Sequence, residues 1–195
     1  MMKADAQHTN LLAIEGMRVV FASRRGHVVA VERLDIEVEP GEILGVVGES
    51  GAGKSTIGNA VIGLLEPPGE MTGGEIFLKG ERIDHLDDAG KRKIRGKRIG
   101  MIFQDPLTSL DPLQTIERQL VDTIQQHMQV SEADARKRAV DLLDQVGIPD
   151  PNVRIAQYPH QFSGGMRQRV GIALARCADP ELVIADEPTT ALDGS

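Results

Sequence analysis

The sequence predicts an α/β fold with a largely parallel sheet, a β-rich start and a helical insertion. Three observations carry this prediction. Short apolar runs that read as strands alternate with helix patterns from end to end. A glycine-rich turn joins one such run to a helix within residues 43–65. The last apolar run, Leu182 to Ala185, leads directly into Asp186 and Glu187.

Met17 to Phe21, Val28 to Val31 and Leu34 to Val38 show strand spacing, with the SRRGH turn at 23–27. Pro40-Gly41 then resets the chain. Ile43 to Val47 is a short apolar run of the kind buried in a parallel sheet, and a helix follows from about Lys54 to Leu65. EPPGEMTGG, residues 66–74, reads as a loop, and Glu75 to Lys79 as a strand. Ile99 to Phe103 is a further buried strand, after which Gln104-Asp-Pro opens a mostly helical stretch to about Tyr158. Within it Ala139, Leu142, Leu143 and Val146 form a stripe at helical spacing, with Ser131 as N-cap and Gly147 as the stop. A helix from Ser163 through Cys177 precedes the last strand.

Composition bounds the partners. At 195 residues and 41% hydrophobic content the chain can fill one ordinary core, and a net charge of −7 argues against a general grip on nucleic acid or an anionic membrane. The run KRKIRGKR at 91–98 holds six basic residues. With one tyrosine and no tryptophan to stack bases, it reads as a solvated helix face. The single cysteine, Cys177, sits among Ala173, Leu174 and Ala178 and reads as a small apolar packing residue. The polar N-terminus carries no signal-peptide pattern, and no run approaches the ~18 apolar residues that span a bilayer.

The residues Gly48, Glu49, Ser50, Gly51, Ala52, Gly53, Lys54 and Ser55 fit the pattern G-x-x-x-x-G-K-[ST], between an apolar run and a helix. Phosphate binding needs backbone N–H groups turned inward around an anion, which glycines permit, and a helix N-terminus adds favourable partial charge. Lys54 would reach the β- and γ-phosphates and the Ser55 hydroxyl would be a Mg²⁺ ligand, with Thr56 next in the same first turn. Asp186 emerges at the C-terminal end of its strand, where open α/β sheets bind ligands, and would lie beside Mg²⁺. Glu187 is placed to polarise an attacking water. Together these motifs indicate a P-loop NTPase.

Ser163 capping a helix, with Gly164 and Gly165 in its first turn, makes a further anion site from a helix N-terminus. In order along the chain stand GESGAGKST, FQDP, FSGGMRQR, LVIADE and ALD, and this ordered set resembles the ATP-binding cassette ATPases of ABC transporters. The resemblance covers residues 11–195 as one cassette: an N-terminal antiparallel β subdomain, a P-loop core and a helical subdomain at 105–162. It implies ATP and Mg²⁺ as cofactors, with two cassettes sandwiching two ATP molecules. Ser163, Gly164 and Gly165 would contact the γ-phosphate held by the partner's phosphate loop. Gln104 would sense Mg²⁺ and the attacking water, making Glu187, Gln104 and Lys54 the catalytic set and Ser55, Gln104 and Asp186 the metal ligands. Asp193 would lie at the dimer interface. Phe21 either stacks on adenine or packs in the core.

GVVGESGAGKST, FQDPLTSLDP and YPHQFSGGMRQR further resemble the ATPase subunits of dipeptide, oligopeptide and nickel importers. That likeness implies a peripheral subunit on the cytoplasmic face of the membrane. Its partners would be transmembrane permease subunits, a second ATPase subunit in a hetero- or homodimer, and indirectly an extracytoplasmic solute-binding protein, with no nucleic acid. The competing expectations are a soluble cassette ATPase acting on DNA or ribosomes, and a nucleotide-binding remnant without turnover. Only 58 residues separate Gln104 from Ser163, which leaves no room for the long coiled coil of chromosome-maintenance ATPases. The family continues past the Ala-Leu-Asp motif to a core strand and a γ-phosphate histidine, and neither His127 nor His160 takes that position. Gly194 also departs from the family's aliphatic residue. These departures lead to the expectation of a truncated sequence with impaired turnover.

Overall fold

The computed structural model describes residues 10–24, 26–49, 51, 53–105 and 109–187. The chain divides into two compact units, residues 1–92 and 93–195, and each is taken by itself.

The first unit is an antiparallel sheet. Strands β1 (Leu12–Ser23) and β2 (Gly26–Val38) form one long hairpin, from the pair Leu12 and Val38 to the pair Ser23 and Gly26. The Ser23 hydroxyl tightens the turn by donating to Gly26 O at 2.8 Å. Strand β3 (Gly69–Leu78) pairs with the other edge of β1, and the short β4 (Glu81–Arg82) completes the order β2-β1-β3-β4. Leu12, Ile14, Met17, Val19, Ile76 and Leu78 bury one face.

The two strand segments expected on either side of residues 32–33 are one strand with a bulge, because the register of β1 against β2 shifts between Ile14 and Val20. Gly16, at φ +60°, forms the kink, and its N–H donates to Asp35 Oδ1 at 2.7 Å. Residues 69–74, expected as loop, belong to β3. The glycines there answer close approach rather than a turn: a Cβ on Gly74 would lie 2.5 Å from Met17 N, and one on Gly69 would lie 2.6 Å from the Phe21 ring.

Residues 43–47 do not form the expected buried strand. Among the described residues they pair with no strand, and Ile43 and Val47 are 97% and 96% exposed. A run of apolar residues states what would be stable if covered, and burial itself belongs to the neighbours. The helix that follows, α1 (Lys54–Val61), ends short of Leu65. Gly63, at φ +64°, breaks it, and its N–H closes the end on Ala60 O at 3.0 Å.

Helix α2 (Asp88–Ile94) carries the chain into the second unit. There β5 (Ile99–Ile102) and β6 (Leu182–Ala185) pair in parallel, Ile99 beside Leu182 and Ile102 beside Ala185. Between them lie α3 (Ile116–His127), α4 (Glu132–Gln145), α5 (Pro151–Arg154), one 3₁₀ turn at Pro159–Gln161, and α6 (Gly164–Arg176). Ser131 caps α4 by accepting from Asp134 N at 3.1 Å, and Gly147, at φ +75°, follows its end. Ala139, Leu142 and Leu143 join Ile116, Leu120, Ile124, Phe162, Val170, Ala173 and Cys177 in one apolar core, with Val146 partly buried at its edge. Burial pushes the Cys177 thiol up to about 11, which leaves it protonated and inert as a packing residue. In the basic run, Arg92, Lys93 and Lys97 are exposed and Arg98 pairs with Glu181 at 3.4 Å. No helix among the described residues is long and apolar enough to cross a membrane.

Candidate phosphate and carboxylate sites

In the first unit, the segment before α1 has the curl that a phosphate cradle requires. Gly51 and Gly53 take φ of +82° and +86°, a left-handed backbone that side chains resist. A Cβ on Gly53 would also lie 2.7 Å from Ala30 O of β2, so the chain passes against that strand at a distance only glycine permits. Gly53 is the N-cap of α1 and supplies no side-chain cap. The first-turn N–H groups are thereby left for an external acceptor, at the positive end of the helix dipole.

The Lys54 ammonium donates to Gly48 O at 2.8 Å and Glu49 O at 2.9 Å, which draws the loop around its own cation. Phosphate oxygens are stronger acceptors than these carbonyls and suit the same donor. Ser55 is exposed in the first turn and Thr56 is partly buried beside it. Ser50 and Ala52 lie outside the described residues. Phe21 is partly buried over Gly69, a position the strand pairing explains by itself.

In the second unit, the parallel register of β5 and β6 carries three of the expected residues to one edge. The ladder continues one step through Asp186 N, which donates to Ile102 O at 2.9 Å. Gln104, two residues beyond β5, and Glu187, two beyond β6, then meet: Gln104 Nε2 donates to Glu187 Oε2 at 2.6 Å. Glu187 holds φ +45°. That conformation costs a non-glycine residue on the order of 1 kcal/mol, and such strain gathers at functional sites. Asp193 lies outside the described residues.

The helix cap forms as the sequence implies. Ser163 is the N-cap of α6 and its Oγ accepts from Met166 N at 3.2 Å. A Cβ on Gly164 would meet nothing within 4 Å, so the first turn is open to an approaching group. On β5, against this helix, lies a residue that sequence reasoning missed. A Cβ on Gly100 would lie 2.1 Å from Ala175 O, so β5 and the last turn of α6 touch backbone to backbone. A glycine inside an apolar strand was the available signal. Gln168, one turn into α6, is 1% exposed, a buried polar residue.

The chain is similar to known proteins over most of its length. The ABC transporter family model matches residues 31–190. The oligopeptide transport ATP-binding protein OppD of Bacillus subtilis is 47% identical over 95% of this chain and 52% of its own length. The dipeptide transport ATP-binding protein DppD of Lactococcus lactis is 48% identical over 94% of this chain and 53% of its own. The chain thus spans about half the length of these relatives. Among solved structures, the dimeric post-hydrolysis state of the ATP-binding cassette MJ0796 bound to ADP and Pi superposes with a TM-score of 0.84 at 29% identity. That match covers 94% of this chain and 76% of the other.

Proposed function

The chain belongs to the ABC transporter family, and from that premise we propose that it is an ATP-binding and hydrolysing importer subunit, coupling ATP turnover to uptake of peptides or a related small solute. The observation that carries the reading is the 2.6 Å bond between Gln104 and Glu187. It gives the carboxylate a side-chain amide that orients it and can report its occupancy. The relatives named for oligopeptide and dipeptide transport supply the cargo class.

In this reading residues 11–195 are one cassette and residues 105–162 its helical subdomain. Gly48 to Gly53 wrap the phosphates with backbone N–H groups, Lys54 neutralises the β- and γ-phosphates, and Ser163, Gly164 and Gly165 offer their helix cap to the γ-phosphate held by a second ATPase subunit. Glu187 accepts the proton of the attacking water, and Gln104 positions that water. Phe21 is the candidate for adenine stacking and Asp193 for the subunit interface.

Ser55 in the first unit, and Gln104 and Asp186 in the second, are the proposed Mg²⁺ ligands; each offers an oxygen donor of the kind Mg²⁺ takes alongside water and substrate phosphate. When bound, the ion would neutralise charge developing on the phosphoryl oxygens. The proposed partners are transmembrane permease subunits, a second ATPase subunit and, indirectly, an extracytoplasmic solute-binding protein. The place of work is the cytoplasmic face of the membrane.

The test is reconstitution of the chain with a peptide permease and second ATPase subunit in proteoliposomes. ATP-dependent uptake of di- or oligopeptides is the expected result. ATP binding without stimulated peptide uptake would remove the cargo assignment, and absence of ATP binding would remove the whole reading.

A further inference from the structure

Two arginines tie α4 and α6 together in a reciprocal way. Arg138, midway along α4, donates through Nε to Cys177 O at 2.7 Å, and Cys177 is the C-cap of α6. Its Nη2 also lies 2.6 Å from Asp179 Oδ2. Arg169, within α6, donates through Nη1 to Gly147 O at 2.8 Å, just past the C-cap of α4. Each helix therefore sends a guanidinium to the carbonyl end of the other. Those ends carry the acceptors a helix leaves unsatisfied and the negative pole of its dipole.

The spacing makes the two contacts one device. Arg138 and Gly147 are nine residues apart, about 13 Å of helix rise. Cys177 and Arg169 are eight residues apart in the opposite direction, about 12 Å. The helices are antiparallel, and the two clamps stand at matched separations along one interface. Between them lie buried Ala139, Leu142, Leu143, Val170 and Ala173. Apolar side chains resist separation but define axial position weakly. A slide of one helix turn, about 5.4 Å, would break both clamps.

We propose that Arg138 and Arg169 are positioning residues for the anion-binding cap of α6, fixing the axial position at which Ser163, Gly164 and Gly165 are presented. The assignment of those three residues to a γ-phosphate rests on the proposed function, whereas the clamp rests on the geometry of α4 and α6. Arg169 sits less than two turns from the cap, so any slippage of the helix passes undiminished to Ser163. Gly147 takes part because a larger residue would enter the guanidinium's place: a Cβ there would lie 3.1 Å from Arg169 Nη1.

The experiment is peptide-resolved hydrogen exchange on the full chain carrying Arg169→Met or Arg138→Met, with Arg169→Lys as the conservative variant. Each methionine variant is expected to raise exchange at residues 163–169 tenfold or more while residues 116–127 stay unchanged, and lysine is expected to restore most of the protection. Unchanged exchange at 163–169, or an equal rise over 116–127, would overturn the proposal. In an ATPase assay the methionine variants should lower kcat at unchanged ATP affinity; weakened affinity at unchanged kcat would count against the clamp. If the wild-type chain itself neither binds nor hydrolyses ATP, the proposed function fails and the exchange experiment still decides the clamp.

Discussion

Gln104 Nε2 and Glu187 Oε2 stand 2.6 Å apart although 83 positions separate them in sequence. The bond exists because β5 and β6 pair in parallel without a register slip, so that each strand delivers its next two residues to the same edge. Glu187→Gln is expected to lower ATP turnover by about a hundredfold or more, the scale of a lost general base, and to leave nucleotide affinity near wild type. Parallel measurements of kcat and of ATP binding would check it. Equal losses in both would show that Glu187 serves binding instead.

Lys54→Ala should act on the other quantity. Removing a charge-assisted donor is expected to cost about 1.5–3 kcal/mol, roughly ten- to a hundredfold in affinity for ATP. Titration calorimetry of the variant against the wild-type chain gives the comparison. The melting temperature should move little, because the ammonium's present partners, Gly48 O and Glu49 O, belong to an exposed loop.

Gly100→Ala tests the contact between β5 and α6. A methyl group 2.1 Å from Ala175 O cannot be accommodated without moving backbone. Overpacking of this kind costs about 1–3 kcal/mol, which denaturant titration would resolve. A neutral result would mean that strand and helix are free to part.

Ile43→Ser and Val47→Ser separate the sequence expectation from the structure. At 97% and 96% exposure, each is expected to change stability by less than about 0.5 kcal/mol. Ile76→Ala, fully buried in β3, should cost about 2–5 kcal/mol. Large losses at 43 and 47 would place that segment in a covered strand.

His127 supplies the pH dependence. Burial first, and the nearby Lys97 cation second, hold its pKa below the ordinary histidine value of 6.5. The folded state therefore takes up the proton less readily than the unfolded chain. Stability is fully present above about pH 6.5 and falls as pH drops toward the folded pKa. The imidazole lies against Gly96, where an added Cβ would meet Nε2, so charging it disturbs the turn before β5. Thermal melts between pH 7.5 and 5 should show the decline, and His127→Gln should flatten it.

The sequence alone determined those features whose physics is local. Ser131 and Ser163 cap their helices because a hydroxyl reaches a backbone N–H three residues on. Gly51 and Gly53 curl the loop before α1 because only glycine adopts positive φ at little cost. The stripe Ala139, Leu142 and Leu143 is buried because helical periodicity gathers it on one face. Tertiary structure decided what depends on a distant partner. It set β3 through residues that read as a loop, left Ile43 and Val47 uncovered, and pressed Gly100 against α6. It also brought Gln104 to Glu187, Arg138 of α4 to the end of α6, and Arg169 of α6 to the end of α4. Pairing, coverage and register are properties of two segments at once, and no pattern within one segment encodes where the other will stop.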